Sequence, residues 1–257
     1  ERRAASGLAV EVVDLTDVYD EFTAGIPDPI AIRAFVARSR SRFVLLVGDG
    51  THDPKGRLPG PPDLVPAAMV ETGALWTASD AWYAAVEGDD DLPDVAIGRL
   101  PVRDAAEAWA VVAKILAAER APCPLRPGAT LASDDDDGGG EFGRPTAELA
   151  TLLEAGCEVE TLRIGDLGPT LVRARLLEAF AAGRSFVGWF GHGNSVQWAG
   201  ERVLAAADAR NLGNEGRYPV VAAMGCLNAT FHVPQLECLG EALLRAPSSG
   251  ASAFWGS

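Results

Sequence analysis

The chain alternates short apolar runs with longer segments in which apolar positions recur at helical spacing. Runs of the first kind predict strands, and segments of the second kind predict helices. The predicted strands cover residues 8–15, 43–48, 94–99, 129–133, 157–163, 185–190, 219–224 and 251–255. The predicted helices cover residues 29–38, 104–120, 145–155, 170–181, 205–211 and 237–246.

This alternation is typical of βαβ units and predicts an α/β fold with a mainly parallel sheet. Most of the strands read as nearly continuous apolar runs, as expected when helices cover both faces of the sheet. Asp104 is in position to cap the helix that follows it, and Pro145 can stand in the first turn of another. The proline-rich segment "RAPCPLRPG" at 120–128 predicts a linker between an N-terminal unit (1–120) and a C-terminal unit (128–257).

The composition and net charge argue against several classes of protein. The 257 residues are 48% apolar, which is enough for a substantial core, and no apolar run approaches the roughly 18 residues that cross a membrane. The net charge of −14 argues against binding to nucleic acid or to anionic membranes and predicts an acidic, solvated surface. The abrupt ends of the pattern suggest that further domains of a longer chain flank this sequence.

The chain has four cysteines, Cys123, Cys157, Cys226 and Cys238. None forms a CxxC pair, which argues against a structural zinc site, and four are too few for a disulfide scaffold. One disulfide remains an open alternative.

Two of the predicted strands end in chemically reactive residues. His192 follows one strand in "SFVGWFGHG", and Cys226 follows the next in "PVVAAMGCLNATF". Reactive groups of parallel α/β sheets gather at the carboxyl ends of the strands. A separation of roughly 30 residues suits one crossover, so the two strands can be neighbours. We therefore expect His192 and Cys226 to face one cleft.

A thiolate beside an imidazole is a nucleophile with its base, and backbone N–H groups of Gly193 and Cys226 could bind an oxyanion. The alternative is that Cys226 is only a small buried apolar residue and His192 an ordinary polar one. Among other candidate bases, His232 ranks second and His52 third.

Together these stretches, with "FVLLVGDGTHDP" and "ECLGEALLRAPSSGASAFW", resemble the gingipain-like cysteine peptidases of family C25. The resemblance implies a caspase-like α/β/α sandwich preceded by a smaller α/β subdomain. It implies hydrolysis of polypeptides through a thioester, with Cys226 as nucleophile and His192 as base and acid.

The resemblance also suggests further site residues. An acid in "LASDDDDGGGEF" would orient the histidine, with Asp135 the first choice and Asp134 the second; the alternative is a solvated acidic loop. Arginine-specific members carry an acid where Phe142 stands, so arginine specificity is not carried over. Phe142 and Trp255 are expected to line the substrate pocket, although Trp255 could equally be a core residue.

The loop "EGDDDLPD" at 87–94 offers the oxygen ligands that calcium prefers, from Glu87, Asp89, Asp91 and Asp94. Family members bind calcium as a structural ion, and the resemblance implies no required cofactor. A solvated turn is the alternative.

The sequence therefore favours a cysteine endopeptidase. A sortase-type transpeptidase in protein secretion and an inactive caspase-like binding module are the two alternatives. The resemblance suggests a secreted or cell-surface protein.

Overall fold

The computed structural model describes residues 2–88, 90–120 and 128–257. The elements before residue 121 are α1 (Arg2–Ala5), α2 (Leu15–Thr23), α3 (Pro29–Ser39), β1 (Phe43–Val47), β2 (Met69–Glu71), β3 (Trp76–Ala78), α4 (Ala81–Ala84), β4 (Ala96–Leu100) and α5 (Ala105–Ala118). Those after residue 127 are β5 (Ala129–Ser133), α6 (Gly143–Glu154), β6 (Val159–Arg163), α7 (Ile164–Leu167), α8 (Pro169–Ala182), β7 (Phe186–Phe190), β8 (Gly193–Asn194), β9 (Gln197–Trp198), β10 (Leu204–Ala205), a 3₁₀ helix (Ala206–Asn211), β11 (Val220–Met224), α9 (Leu239–Arg245) and β12 (Ala253–Trp255).

The C-terminal part is built on a five-stranded sheet with the order β12-β11-β7-β5-β6, in which every pairing is parallel. The prediction of an α/β fold with a mainly parallel sheet is confirmed. The interior strand β5 is buried at all five residues, as expected for a strand covered on both faces. One face of β7, through Val187 and Trp189, packs against Val172 and Leu176 of α8 and against Leu243 of α9.

The N-terminal part has a separate parallel pair, β1 and β4, and a short antiparallel pair, β2 and β3. Its apolar core gathers Ile32 and Val36 of α3 with Leu46 of β1 and Tyr83 of α4. Tyr83 is fully buried, and its hydroxyl donates to the carbonyl of Pro66 at 2.7 Å. The predicted linker at 120–128 lies almost wholly in residues 121–127, outside the described residues, so the division into two units stays a prediction.

Several helix ends follow the local signals of the sequence. Asp104 caps α5, where its carboxylate accepts the N–H of Glu107 at 2.9 Å. Pro145 stands in the first turn of α6, and Gly156 follows the end of that helix. These positions agree with the preference of short acceptors for N-caps and of proline for first turns.

The strand predicted at 8–15 is wrong. Residues 8–14 have no regular structure, and Leu15 begins the helix α2. Asp14 caps that helix by accepting the N–H of Thr16 at 2.8 Å, so the acidic residue inside the apolar run marks a helix start. Val12 is 95% exposed and has no neighbouring strand among the described residues. The β-branched residues of this run therefore do not form a strand.

Buried charges tie the two parts together. The Arg245 guanidinium on α9 is 3% exposed and donates to Asp49 at 2.5 Å, to Pro101 O at 2.5 Å and to Glu241 at 2.7 Å. Burial, offset in part by Arg245, raises the pKa of Glu241 to about 7. Asp49 and Pro101 belong to the N-terminal part, so this cluster fixes α9 against it.

A buried lysine on α5 makes a second tie to α9. Lys114 Nζ donates to the carbonyls of Leu243 at 3.0 Å and Ser249 at 3.1 Å. The first of these carbonyls is in the last turn of α9, where a cation is favoured. None of the helices in the described ranges is long and apolar enough to cross a membrane.

Candidate active site

The register of β7 and β11 brings the two reactive strand ends together. Phe190 pairs with Met224 at the last position of these adjacent parallel strands. His192 stands two residues beyond Phe190, and Cys226 stands two residues beyond Met224. The carboxyl ends of parallel strands emerge at one edge of the sheet, so the imidazole and the thiol lie on neighbouring loops.

The glycines beside these two residues allow the loops to approach closely. A Cβ at Gly191 would stand 2.5 Å from Asp134 Cβ and 2.7 Å from the Trp189 ring. A Cβ at Gly225 would stand 2.8 Å from Gly191 O. Real Cβ atoms do not tolerate such distances, so only glycine permits this packing without movement of the neighbours.

The backbone of His192 is held on both sides. Its N–H donates to Asp134 Oδ2 at 3.1 Å. Its carbonyl accepts from Trp189 Nε1 at 3.1 Å and from the N–H of Ala199 at 2.9 Å. Burial raises the pKa of Asp134, in part opposed by the hydrogen bond from His192. Trp189 is itself fixed by stacking on Trp198, with ring centroids 5.4 Å apart and both rings fully buried.

The imidazole ring of His192 meets a different aspartate from the one the sequence favoured. His192 Nε2 lies 3.1 Å from Asp137 Oδ2, and the two side chains are 51% and 47% exposed. The N–H of Gly139 donates to Asp137 at 2.7 Å and is the main reason that the pKa of Asp137 lies below its usual value. Asp135, the first choice from the sequence, is exposed, and among the described residues it makes no hydrogen bond to the ring.

A further acid of this loop, Asp136, has a structural task. Asp136 accepts the N–H groups of Phe142 at 2.7 Å and Gly143 at 2.9 Å at the start of α6. These bonds lower the pKa of Asp136. The half-buried Phe142 ring packs edge-on against the His192 imidazole with centroids 5.2 Å apart. The loop is therefore an ordered frame around the histidine, rather than a merely solvated stretch.

Cys226 has an exposed, free thiol in the turn that follows β11. The next residue, Leu227, has a φ of 64°, a left-handed conformation that costs side-chain-bearing residues energy. In the described part of the chain, no hydrogen bond joins the Cys226 thiol to the imidazole. Catalytic contacts commonly tighten only when a substrate is bound, so this geometry is compatible with a nucleophile and its base.

Gly193 offers a backbone N–H beside this turn. Gly193 pairs with Trp198, and the flanking hydrogen bond runs from Ala199 N–H to His192 O. This is the pattern of a non-hydrogen-bonded antiparallel pair, in which the Gly193 N–H is not used by the ladder. A Cβ at Gly193 would stand 3.1 Å from Cys226 O, so the two residues are in close contact.

The two rival histidines, His52 and His232, lie next to each other. His232 is buried, and its ring centroid lies 6.0 Å from that of His52. The N–H of His52 donates to His232 O at 2.9 Å. Burial lowers the pKa of His232, and His52 adds to the effect. Among the described residues, no hydrogen bond joins either histidine to Cys226, whereas the register of β7 on β11 relates Cys226 to His192.

Three cysteines, Cys157, Cys226 and Cys238, are free thiols, and Cys123 lies outside the described residues. Trp255 ends the strand β12 and is 62% exposed among the described residues. Its place in a substrate pocket stays a prediction.

One residue of the calcium prediction, Asp89, lies outside the described residues. Asp94 Oδ2 accepts the N–H groups of Val86 and Glu87, each at 2.8 Å, and so closes the loop. In the residues that the structure describes, no group of three or more His, Cys, Asp or Glu side chains is arranged to hold a metal ion. The calcium site with Glu87, Asp89, Asp91 and Asp94 stays a prediction.

The sequence model of Peptidase family C25 matches residues 1–257. The chain belongs to peptidase family C25.

Relatives of this C25 chain include two gingipains of Porphyromonas gingivalis. It is 25% identical over 258 residues to Gingipain R2 of strain ATCC 33277, covering 95% of the chain and 32% of the relative. It is 25% identical over the same length to Gingipain R1, covering 24% of that relative. The chain thus spans a third or less of these curated relatives.

Solved structures support the fold. The crystal structure of the Arg specific cysteine proteinase gingipain R (RgpB) matches with a TM-score of 0.71 at 22% identity, covering 92% of this chain and 54% of that one. The complex of Porphyromonas gingivalis RgpB pro- and mature domains matches with a TM-score of 0.74 at 23% identity, covering 98% and 58%.

Reasoning from the sequence missed several residues that shape the C25 site. Asn228 was not singled out, although it lies two residues after Cys226, and Asp137 was included only as one of the aspartates at 134–137, behind Asp135 and Asp134. The "DGGG" run after Asp137 is a turn signal, and a tight turn is what brings an acid back toward the histidine. Trp189 could not be recognised from its sequence, because only the tertiary structure places its indole N–H on His192.

Proposed function

We propose that the protein containing this chain is a cysteine endopeptidase, with Cys226 as the nucleophile and His192 as the general base and acid. The observation that carries the proposal is the register of β7 on β11, with both residues at the same step beyond paired strand ends. The exposed thiol and the family membership support it.

In this reaction the Cys226 thiol gives its proton to His192, and the sulfur forms a bond to the carbonyl carbon of the scissile peptide. The N–H groups of Gly193 and Cys226 donate to the oxyanion of the tetrahedral intermediate. The imidazolium then protonates the leaving amine as the C–N bond breaks, which leaves a thioester. Water activated by the same imidazole hydrolyses the thioester and restores the thiol.

The resemblance to secreted and surface peptidases also leads us to propose an extracellular location. The substrate is a polypeptide, and Phe142 stands near the position where arginine-specific members of the family carry an acid. A positional-scanning peptide library on the whole protein identifies the preferred residue at the cleaved bond.

The test uses the best peptide from that library. We expect Cys226→Ala to reduce kcat by at least about 10³-fold, because covalent catalysis requires the sulfur. Cys157→Ala is the matched control, since Cys157 is also a free, partly accessible thiol, at the approach to β6. It should retain wild-type kcat and KM.

Full activity in Cys226→Ala would refute the proposal, as would equal losses in the two variants. An amine nucleophile added to the assay competes with water for the thioester. We expect the hydrolysis product to dominate. A dominant transfer product would instead identify a transpeptidase with the same nucleophile.

A further inference from the structure

Asn228 joins the turn that carries Cys226 to the hairpin that follows His192. It stands two residues after Cys226 and is fully buried. Its Nδ2 donates to Asn194 O at 2.6 Å, with a longer contact to Gln197 O at 3.4 Å. These carbonyls belong to β8 and β9, the two arms of the hairpin that begins one residue after His192.

The contact between the amide and the hairpin is close. A Cβ at Gly193 would stand 3.1 Å from Asn228 Nδ2 and 3.2 Å from its Oδ1. The side chain of Asn228 therefore sets how near Gly193 and its backbone come to the Cys226 turn.

The turn needs such support because its backbone is strained. Leu227, between Cys226 and Asn228, is in the left-handed region, and a strained residue persists only where its surroundings hold it. The backbone of the turn is also anchored, since Asn228 O accepts the N–H of Gly240 at 2.9 Å and Ala229 N–H donates to Ser257 O at 2.7 Å. The side chain of Asn228 provides the link toward the histidine.

Among the described residues, only the Nδ2 end of the Asn228 amide forms hydrogen bonds. Its Oδ1 is buried without a hydrogen-bond partner in the part of the chain that the structure describes. Asn214, also fully buried, uses both ends of its amide: Nδ2 donates to Arg217 O and Gly250 O, and Oδ1 accepts the N–H of Gly250. A buried unpaired acceptor is unfavourable, so Asn228 is a poor choice for stability alone.

We propose that Asn228 is a positioning residue that holds Cys226 at the distance from His192 and Gly193 that catalysis requires. The inference rests on the proposed function of Cys226 and His192. Asn228 acts through the two backbones that its Nδ2 connects and does not touch the reacting atoms. Its loss should therefore lower turnover more than substrate binding.

The experiment compares Asn228→Ala with Asn214→Ala in the whole protein. Both variants remove a buried amide that links two segments, so both should lower the thermal unfolding midpoint. We expect Asn228→Ala to lower kcat by at least about tenfold with KM within about twofold, as for lost positioning. Asn214→Ala should keep both constants within about twofold of wild type.

Asn228→Asp provides a pH-dependent readout with little change in size. An ionised carboxylate cannot donate to Asn194 O, whereas a protonated carboxyl can. The kcat of this variant relative to wild type should therefore rise as the pH is lowered. A kcat and pH profile equal to those of wild type would overturn the proposal, as would equal kcat losses in the two alanine variants.

The experiments distinguish a failure of this inference from a failure of the proposed function. If Cys226→Ala is inactive and Asn228→Ala has wild-type kcat, only the positioning role is wrong. If Cys226→Ala keeps full activity, the proposed function is wrong, and alkylation of Cys226 by iodoacetamide tests the positioning. Alkylation at neutral pH should then be slower in Asn228→Ala than in Asn214→Ala, and equal rates would overturn the inference.

Discussion

At the scale of single residues, the run of four aspartates after β5 divides into different tasks. Asp134 accepts the backbone N–H of His192, Asp136 accepts N–H groups at the start of α6, and Asp137 meets the imidazole ring. All four residues are aspartates, so residue type alone cannot distinguish these tasks. The difference comes from where each one lies along the turn that leaves the sheet.

The contact of Asp137 with the ring predicts a modest catalytic effect. Asp137→Asn should lower kcat/KM by about tenfold or less, because a half-exposed pair is screened by water. Asp135→Asn is the control, since Asp135 is exposed on the same loop without a hydrogen bond to the ring. Steady-state kinetics on one peptide would measure both. A larger loss in Asp135→Asn would assign the orienting role to Asp135 instead.

At the scale of elements, the turn from Asp137 to Gly140 is as important as the acid it carries. Asp137 and Gly140 exchange backbone hydrogen bonds at 3.1 and 3.3 Å, which closes the turn. Gly139 lies directly against the histidine, and a Cβ there would stand 2.6 Å from His192 Cε1. The turn and the imidazole therefore fit together only because this position has no side chain.

Two alanine substitutions test this fit. Gly139→Ala should displace the imidazole or open the turn and lower kcat/KM by about 10- to 100-fold, the scale of a misplaced catalytic group. Gly138→Ala should have little effect, because a Cβ at Gly138 meets nothing within 4 Å. Kinetics and thermal unfolding of both variants measure the difference. Equal activity in the two variants would mean that the turn does not set the position of His192.

At the scale of the whole molecule, buried charges on α5 and α9 join the two parts of the chain. Burial lowers the pKa of Lys114 to about 7, while its Nζ donates to Leu243 O in the last turn of α9 and to Ser249 O in the segment that follows. An unfolded lysine has a pKa of about 10.4. Between these values the unfolded chain binds a proton that the folded chain lacks, so the free energy of unfolding rises with pH.

This linkage can be measured against a variant without the amine. Between pH 7 and pH 9, wild type should gain about 2 kcal/mol of unfolding free energy relative to Lys114→Met, from the proton linkage. Urea unfolding at the two pH values measures the gain. Lys55→Met is the control, because Lys55 is exposed. This variant should show the same change of unfolding free energy with pH as wild type. The same pH dependence in Lys114→Met and wild type would contradict the prediction.

The sequence by itself determined the α/β class, most helices and strands, and the pair of strand ends that carry His192 and Cys226. These follow from local periodicity and from the rule that parallel strands present their carboxyl ends at one edge. It was wrong at residues 8–15, where an aspartate began a helix in place of a strand. A strand depends on a neighbour to pair with, and an apolar run alone does not supply one.

Only the tertiary structure decided which acid meets the imidazole, that Trp189 holds the backbone of His192, and that Asn228 links the two reactive loops. These contacts join residues that are distant in the chain or identical in type to their neighbours. Their distances depend on turn geometry and strand register, which hydrophobic periodicity does not encode. The sequence therefore identified His192 and Cys226 as the candidate pair, and the packing of two glycine-flanked loops fixed the frame around it.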